Sequence, residues 1–223
     1  MKFLFRCIFV IVFCSAVASL VQTSFGKVEV NSFKISTQKR QHLVFDLYTP
    51  HSATIQNKTP FVVVVPGFQR SKEALSNIAI ELSRSGMVIA LIDPYAQGLS
   101  SSSRSRRSAT TEGYGMFHLV EHAYSGEFLD YIDTSKIAST GHSMGGNAAI
   151  RGANYFGKQA TKNNEASKLH SVYVSGYVLT LLDEVLKDIQ SNVGVSYALY
   201  DEGAFRNELI GWDASNMKIA PES

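Results

Sequence analysis

Lys136-Ile137-Ala138-Ser139-Thr140-Gly141-His142-Ser143-Met144-Gly145-Gly146-Asn147-Ala148-Ala149-Ile150 is the stretch on which the fold turns. A short apolar run, Lys136 to Thr140, reads as a strand, and Met144 to Phe156, opening on Gly145, Gly146, Ala148 and Ala149, reads as a helix. Between them stands Gly141-x-Ser143-x-Gly145. A strand that turns sharply into a helix holds its turn residue in a strained backbone conformation, and glycines on either side leave room for that turn. A serine there carries its hydroxyl above the sheet at a helix N-terminus, where the dipole favours developing negative charge. Ser143 is therefore the candidate nucleophile; the plainer reading is a glycine-rich helix cap with Ser143 as N-cap.

Outward from this point, strand-like and helix-like segments alternate. Upstream lie the alternating strands Val28 to Val30 and Leu43 to Tyr48, then the continuous β-branched run Phe61 to Val65, too apolar for a half-exposed strand. Ala74, Leu75, Ile78, Ala79 and Leu82 recur with helical spacing, and Gly86 closes that helix. Met87 to Ile92 reads as a second buried strand, and His118 to Ile132 as a helix. Downstream come a strand at Ser171 to Ser175, a helix from about Leu179 to Ile189 and a strand at Val193 to Tyr200. Such alternation builds right-handed βαβ units into a parallel sheet, whose ligands sit at the carboxyl ends of the strands.

Composition narrows the rest. At 223 residues and 45 % hydrophobic, the chain forms one sizeable core. A formal charge of +2 gives no reason to expect nucleic acid as a partner. Lys2 and Arg6 precede an uncharged apolar run from Cys7 to Val21, and Ala16-Val17-Ala18 offers small residues for cleavage. Residues 1–26 thus read as a signal peptide or a signal anchor and 27–223 as the domain, secreted or membrane-anchored with the domain extracytoplasmic. Both cysteines, Cys7 and Cys14, fall in the leader, which leaves the domain without a thiol nucleophile, disulfide or thiolate metal site.

Gly141 to Gly146, Val62-Val63-Val64-Val65-Pro66-Gly67-Phe68 and Asp93-Pro94-Tyr95-Ala96-Gln97-Gly98-Leu99-Ser100, with their spacing, resemble the α/β-hydrolase superfamily. Pro66-Gly67-Phe68 and Ile132 to Ile137 look most like its dienelactone-hydrolase, cutinase and acetylhydrolase-like branches. The resemblance implies a three-layer α/β fold, with a mostly parallel central sheet and antiparallel N-terminal strands. It implies an oxyanion hole made by the amides of Phe68 and Met144, and an acid after the strand two units beyond the nucleophile, which is Asp201, with Glu202 and Asp183 as alternatives. The implied activity is a serine hydrolase of the esterase or lipase kind, cleaving a carboxylic ester, or an amide, of a small or lipid-like molecule through an acyl-enzyme with no cofactor. An acyltransferase would share every residue named.

The base is the difficulty. In this superfamily the histidine follows the acid, and no histidine follows His170. His142, inside the elbow, reads as a packing or orienting residue. His118 and His122 lie one turn apart without a clear third metal ligand, and His42, His51 and His170 read as surface residues. The expectation is a chain truncated before its last strand and histidine loop, with the base encoded beyond Ser223; if Ser223 is the true end, an inactive binding module is the alternative. Arg104, Arg106 and Arg107 stand in a serine-rich loop after the Asp93 strand, read as a solvated loop with an anion-binding role as the alternative.

Overall fold

A computed structural model describes residues 2–36, 41–101, 112–126, 128–176 and 186–196. An apolar helix, α1 (Lys2–Gln22), leads into a seven-stranded sheet. Its strands are β1 (Val28–Ser36), β2 (His42–Pro50), β3 (Thr59–Val65), β4 (Val88–Asp93), β5 (Ile132–His142), β6 (Ser171–Ser175) and β7 (Asn192–Ser196). In space they run β1-β2-β4-β3-β5-β6-β7. β1 pairs antiparallel with β2 and β2 with β4, whereas β4, β3, β5, β6 and β7 are mutually parallel, as the alternation requires.

The period of two along each strand divides the core into two layers. Val62 and Val64 of β3 join Ile89 and Leu91 of β4 on the face covered by α2 (Ser76–Arg84). Phe61, Val63 and Val65 turn to the opposite face, where α3 (Met116–Tyr124) and α4 (Met144–Asn163) lie. Every residue of β4 is buried, which is why Met87 to Ile92 carries no polar alternation.

Several boundaries differ from the sequence reading. The helix expected over 118 to 132 stops at Tyr124, where Ser125 and Gly126 (φ 74°) turn the chain, and Ile132 already belongs to β5. Phe128, apolar enough to read as helix, instead packs edge-on against Phe33 and Phe45. α4 extends past Phe156 to Asn163, and Thr59 and Pro60 belong to β3 rather than to the preceding loop. β7 starts one residue early, at Asn192. The expected helix from Leu179 lies outside the described residues except for its last positions, among which Leu186 and Ile189 pack against the α4-side core.

Candidate active site

β5 is paired on both sides, and its end is where the two parallel neighbours also end: Gly141 lies opposite Val65 of β3 and Val174 of β6. The chain leaves this edge through Ser143, at φ 54° and ψ −120°, a conformation L-residues rarely adopt. The turn is held from both directions. The Ser143 amide donates to the Ser175 carbonyl at 2.9 Å, and the Ser143 carbonyl accepts from the Asn147 amide at 3.1 Å as the first hydrogen bond of α4. A β-carbon at Gly145 would collide with the Val65 carbonyl oxygen, and one at Gly141 with the backbone of Gly145. The two flanking glycines are thus demanded by close backbone approach.

Ser143 occupies the N-cap position of α4, yet its side chain makes no capping hydrogen bond. A serine serving as an ordinary cap would turn its oxygen onto the helix amides. The simple-cap reading therefore does not describe this residue. Among the described residues its hydroxyl makes no side-chain hydrogen bond, and it sits at the positive end of a 20-residue helix.

The loop after β3 comes against the elbow. A β-carbon placed on Gly67 would stand 3.3 Å from both Ser143 Cβ and the His142 carbonyl oxygen. Phe68, next along, is 56 % exposed, and Met144 is half-buried at the first turn of α4. Structure thus brings three of the four expected site residues into one corner, around the end of β5. The fourth, Asp201, and its alternatives Glu202 and Asp183 lie outside the described residues, as do Arg104, Arg106 and Arg107.

The histidines sort differently from expectation in one case. His42 is not a free surface residue: it is half-buried, its Nδ1 2.7 Å from Ser101 Oγ and its Nε2 3.0 Å from the Leu99 carbonyl. These partners are 57 to 59 residues away in the chain, a separation no local pattern signals. His51 and His170 are exposed as expected. His118 meets the Tyr95 ring edge-on and His122 packs on Phe128, and no metal-holding cluster occurs among the described residues. His142 is exposed and presents Nε2 towards Gly176 and Nδ1 towards Gly67, between the loops that follow β6 and β3. No histidine hydrogen-bonds the Ser143 hydroxyl among the described residues.

Below the elbow, on the α2 face of the sheet, a cavity of about 380 Å³ is lined by Val62, Val64, Ile78, Ala138, His142 and Tyr173.

A mixed sheet with this strand order, helices on both faces and a strained serine between its central parallel strand and the following helix defines an α/β-hydrolase. Solved structures of the same fold include a dienelactone hydrolase-like promiscuous phosphotriesterase, P91, from metagenomic libraries. It is 17 % identical, with a TM-score of 0.59 over 82 % of this chain and 74 % of that one. DcsB, solved with its substrate analogue, is 20 % identical at a TM-score of 0.52, over 68 % of this chain and 46 % of its own. Brefeldin A esterase, a bacterial homologue of human hormone-sensitive lipase, is 15 % identical at 0.53, over 68 % and 40 %. The chain spans less than half the length of the last two. No curated protein matches it. The PET hydrolase-like family matches residues 14–191, most of the chain, and the protein belongs to that family.

Proposed function

We propose that this protein is an esterase that cleaves a carboxylic ester by two-step acyl transfer through Ser143. The observation that carries the reading is the strained serine at φ 54°, without a side-chain capping hydrogen bond, beside Gly67 and seated at the start of α4. In this reading a histidine base, which the superfamily resemblance implies, takes the Ser143 hydroxyl proton as Oγ attacks the ester carbonyl, the amides of Phe68 and Met144 receive the oxyanion, and the alcohol leaves with that proton. Water then attacks the acyl-enzyme and regenerates the serine. Asp201 is proposed to orient the base. Each oxyanion donor contributes roughly 3 to 4 kcal/mol to the transition state.

The surroundings favour an apolar ester. Phe68 and Leu99, both more than half exposed, stand on the loops that follow β3 and β4 at the carboxyl edge of the sheet. Such exposed apolar side chains beside a nucleophile suit a small or lipid-like ester better than a charged one. Phe3–Val21 is long and apolar enough to cross a membrane, and its side chains other than Cys7 are exposed, which supports an extracytoplasmic domain with α1 as leader or anchor.

Pre-steady-state hydrolysis of p-nitrophenyl acetate and butyrate by the full-length protein tests this. A burst of p-nitrophenolate equal to the enzyme concentration is expected, and its absence in Ser143→Ala. Turnover by Ser143→Ala at the wild-type rate contradicts it.

A further inference from the structure

We propose that Asp93 and Gln97 are positioning residues that hold the oxyanion loop in register with Ser143. The inference deepens the reading of the preceding subsection and rests on it for its catalytic meaning.

The loop from Pro66 to Ser71 carries the proposed donor Phe68. On the elbow side it packs close: a β-carbon on Gly67 would stand 3.3 Å from Ser143 Cβ, and one on Gly145 would stand 2.7 Å from the Pro66 carbonyl oxygen. A donor amide aimed at a developing oxyanion loses its value if it can swing away, because preorganisation is what makes it effective. The far side of the loop must therefore be fixed by something else, and the hydrogen bonds identify it. Asp93, at the end of β4 and 1 % exposed, accepts from the Lys72 amide through Oδ1 at 2.8 Å and from the Leu99 amide through Oδ2 at 3.0 Å. Gln97 Oε1 accepts at 3.1 Å from the Arg70 amide, which also donates to the Gly67 carbonyl of its own turn at 3.2 Å. Two backbone amides, two and four residues beyond Phe68, are thus bonded by the end of β4 and the loop that follows it.

That second loop is itself anchored. It wraps the carboxylate so closely that a β-carbon on Gly98 (φ 54°) would overlap the Asp93 carboxyl group, so glycine is required there. Ser100 Oγ donates to the Asp93 carbonyl at 2.6 Å and accepts from the Val44 amide of β2 at 2.8 Å, while Ser101 engages His42. Lys72 is tied a second time, its Nζ 2.7 Å from Asp46 Oδ2 on β2. Sheet, β4 loop and oxyanion loop form one connected unit, with Asp93 as the member that bonds both loops.

The test uses the full-length protein, its Asp93→Asn, Gln97→Leu and Gln97→Glu variants, and two readouts. Asp93→Asn sets an amide NH2 against one of the two backbone donors; Gln97→Leu removes an acceptor and Gln97→Glu retains it. In amide hydrogen exchange, the Arg70 and Lys72 amides are expected to exchange at least ten-fold faster in Asp93→Asn and Gln97→Leu, with β3 and β5 unchanged. In fluorophosphonate labelling, the rate constant is expected to fall at least ten-fold while the end-point stays at one label per chain, and Gln97→Glu recovers most of the rate. A misfolded fraction would lower the end-point instead. Unchanged exchange at residues 70 and 72 in the folded variants overturns the proposal, as does faster exchange with an unchanged labelling rate. An unlabelled wild-type protein refutes the serine-hydrolase reading; the exchange readout then still decides whether Asp93 and Gln97 hold the loop.

Discussion

Gly145 has no room for a side chain, because the Val65 carbonyl of the neighbouring strand occupies the space a β-carbon would take. Gly145→Ala is accordingly expected to cost about 3 kcal/mol, the upper end of ordinary overpacking, and to slow acylation if it folds; chemical denaturation measures the first and ester turnover the second. Ser143 and its glycines were legible in the sequence because the residues that form the turn lie within five positions, although the Ser175 and Val65 carbonyls that hold it do not. The Lys72–Asp46 pair was not. Its members stand 26 positions apart, and buried together they satisfy each other. Burial works against the Lys72 charge, but the hydrogen bond and charge of Asp46 outweigh it and raise its pKa. Removing one partner of such a pair strands the other, so Lys72→Ala is expected to destabilise by about 3 to 5 kcal/mol, whereas the exposed Arg84–Glu81 pair is worth well under 1 kcal/mol.

At the scale of elements, β5 carries the site and begins with a polar clasp. The Asp133 carboxylate accepts from the Ser135 hydroxyl at 2.6 Å and its amide at 3.0 Å and pairs with Lys136 at 3.0 Å. The Ser135 hydroxyl, foremost, with the Lys136 ammonium, lowers the Asp133 pKa to about 2. A carboxyl group more acidic folded than unfolded stabilises the fold above its unfolded pKa, near 3.8, and that contribution disappears as pH falls through about 2. Asp133→Asn is therefore expected to lower the melting temperature slightly at pH 6 and to converge with wild type near pH 2, a difference made small by solvent screening. Short, continuous apolar runs bounded by turn residues, β3 and β4, could be read directly. The stretch 118 to 132 could not, because its apolar residues fit a helical repeat as well as the turn and strand the chain forms; which one wins depends on Phe33 and Phe45 offering Phe128 an aromatic pocket.

For the whole molecule, alternation of strands and helices foretold a parallel sheet, but not that β4 would insert between β2 and β3. That order depends on crossovers, a long-range property that composition does not encode. The candidate site divides in the same way: the elbow is local, while the clamp on the oxyanion loop joins residues 20 to 60 positions apart. α1 stands outside the core, its apolar side chains exposed, whereas Ser24 and Val28 are buried. A chain starting at Thr23 is therefore expected to melt within about 2 °C of the full-length protein and to move from the detergent phase to the aqueous phase on Triton X-114 partitioning. The central claim remains that Ser143 is built as a nucleophile, and one measurement meets it directly: reaction of the folded, full-length protein with a fluorophosphonate, followed by peptide mass mapping. The account predicts one phosphonyl group per chain on Ser143, with none in Ser143→Ala; a folded wild-type protein that stays unlabelled, or carries its label on another residue, contradicts it.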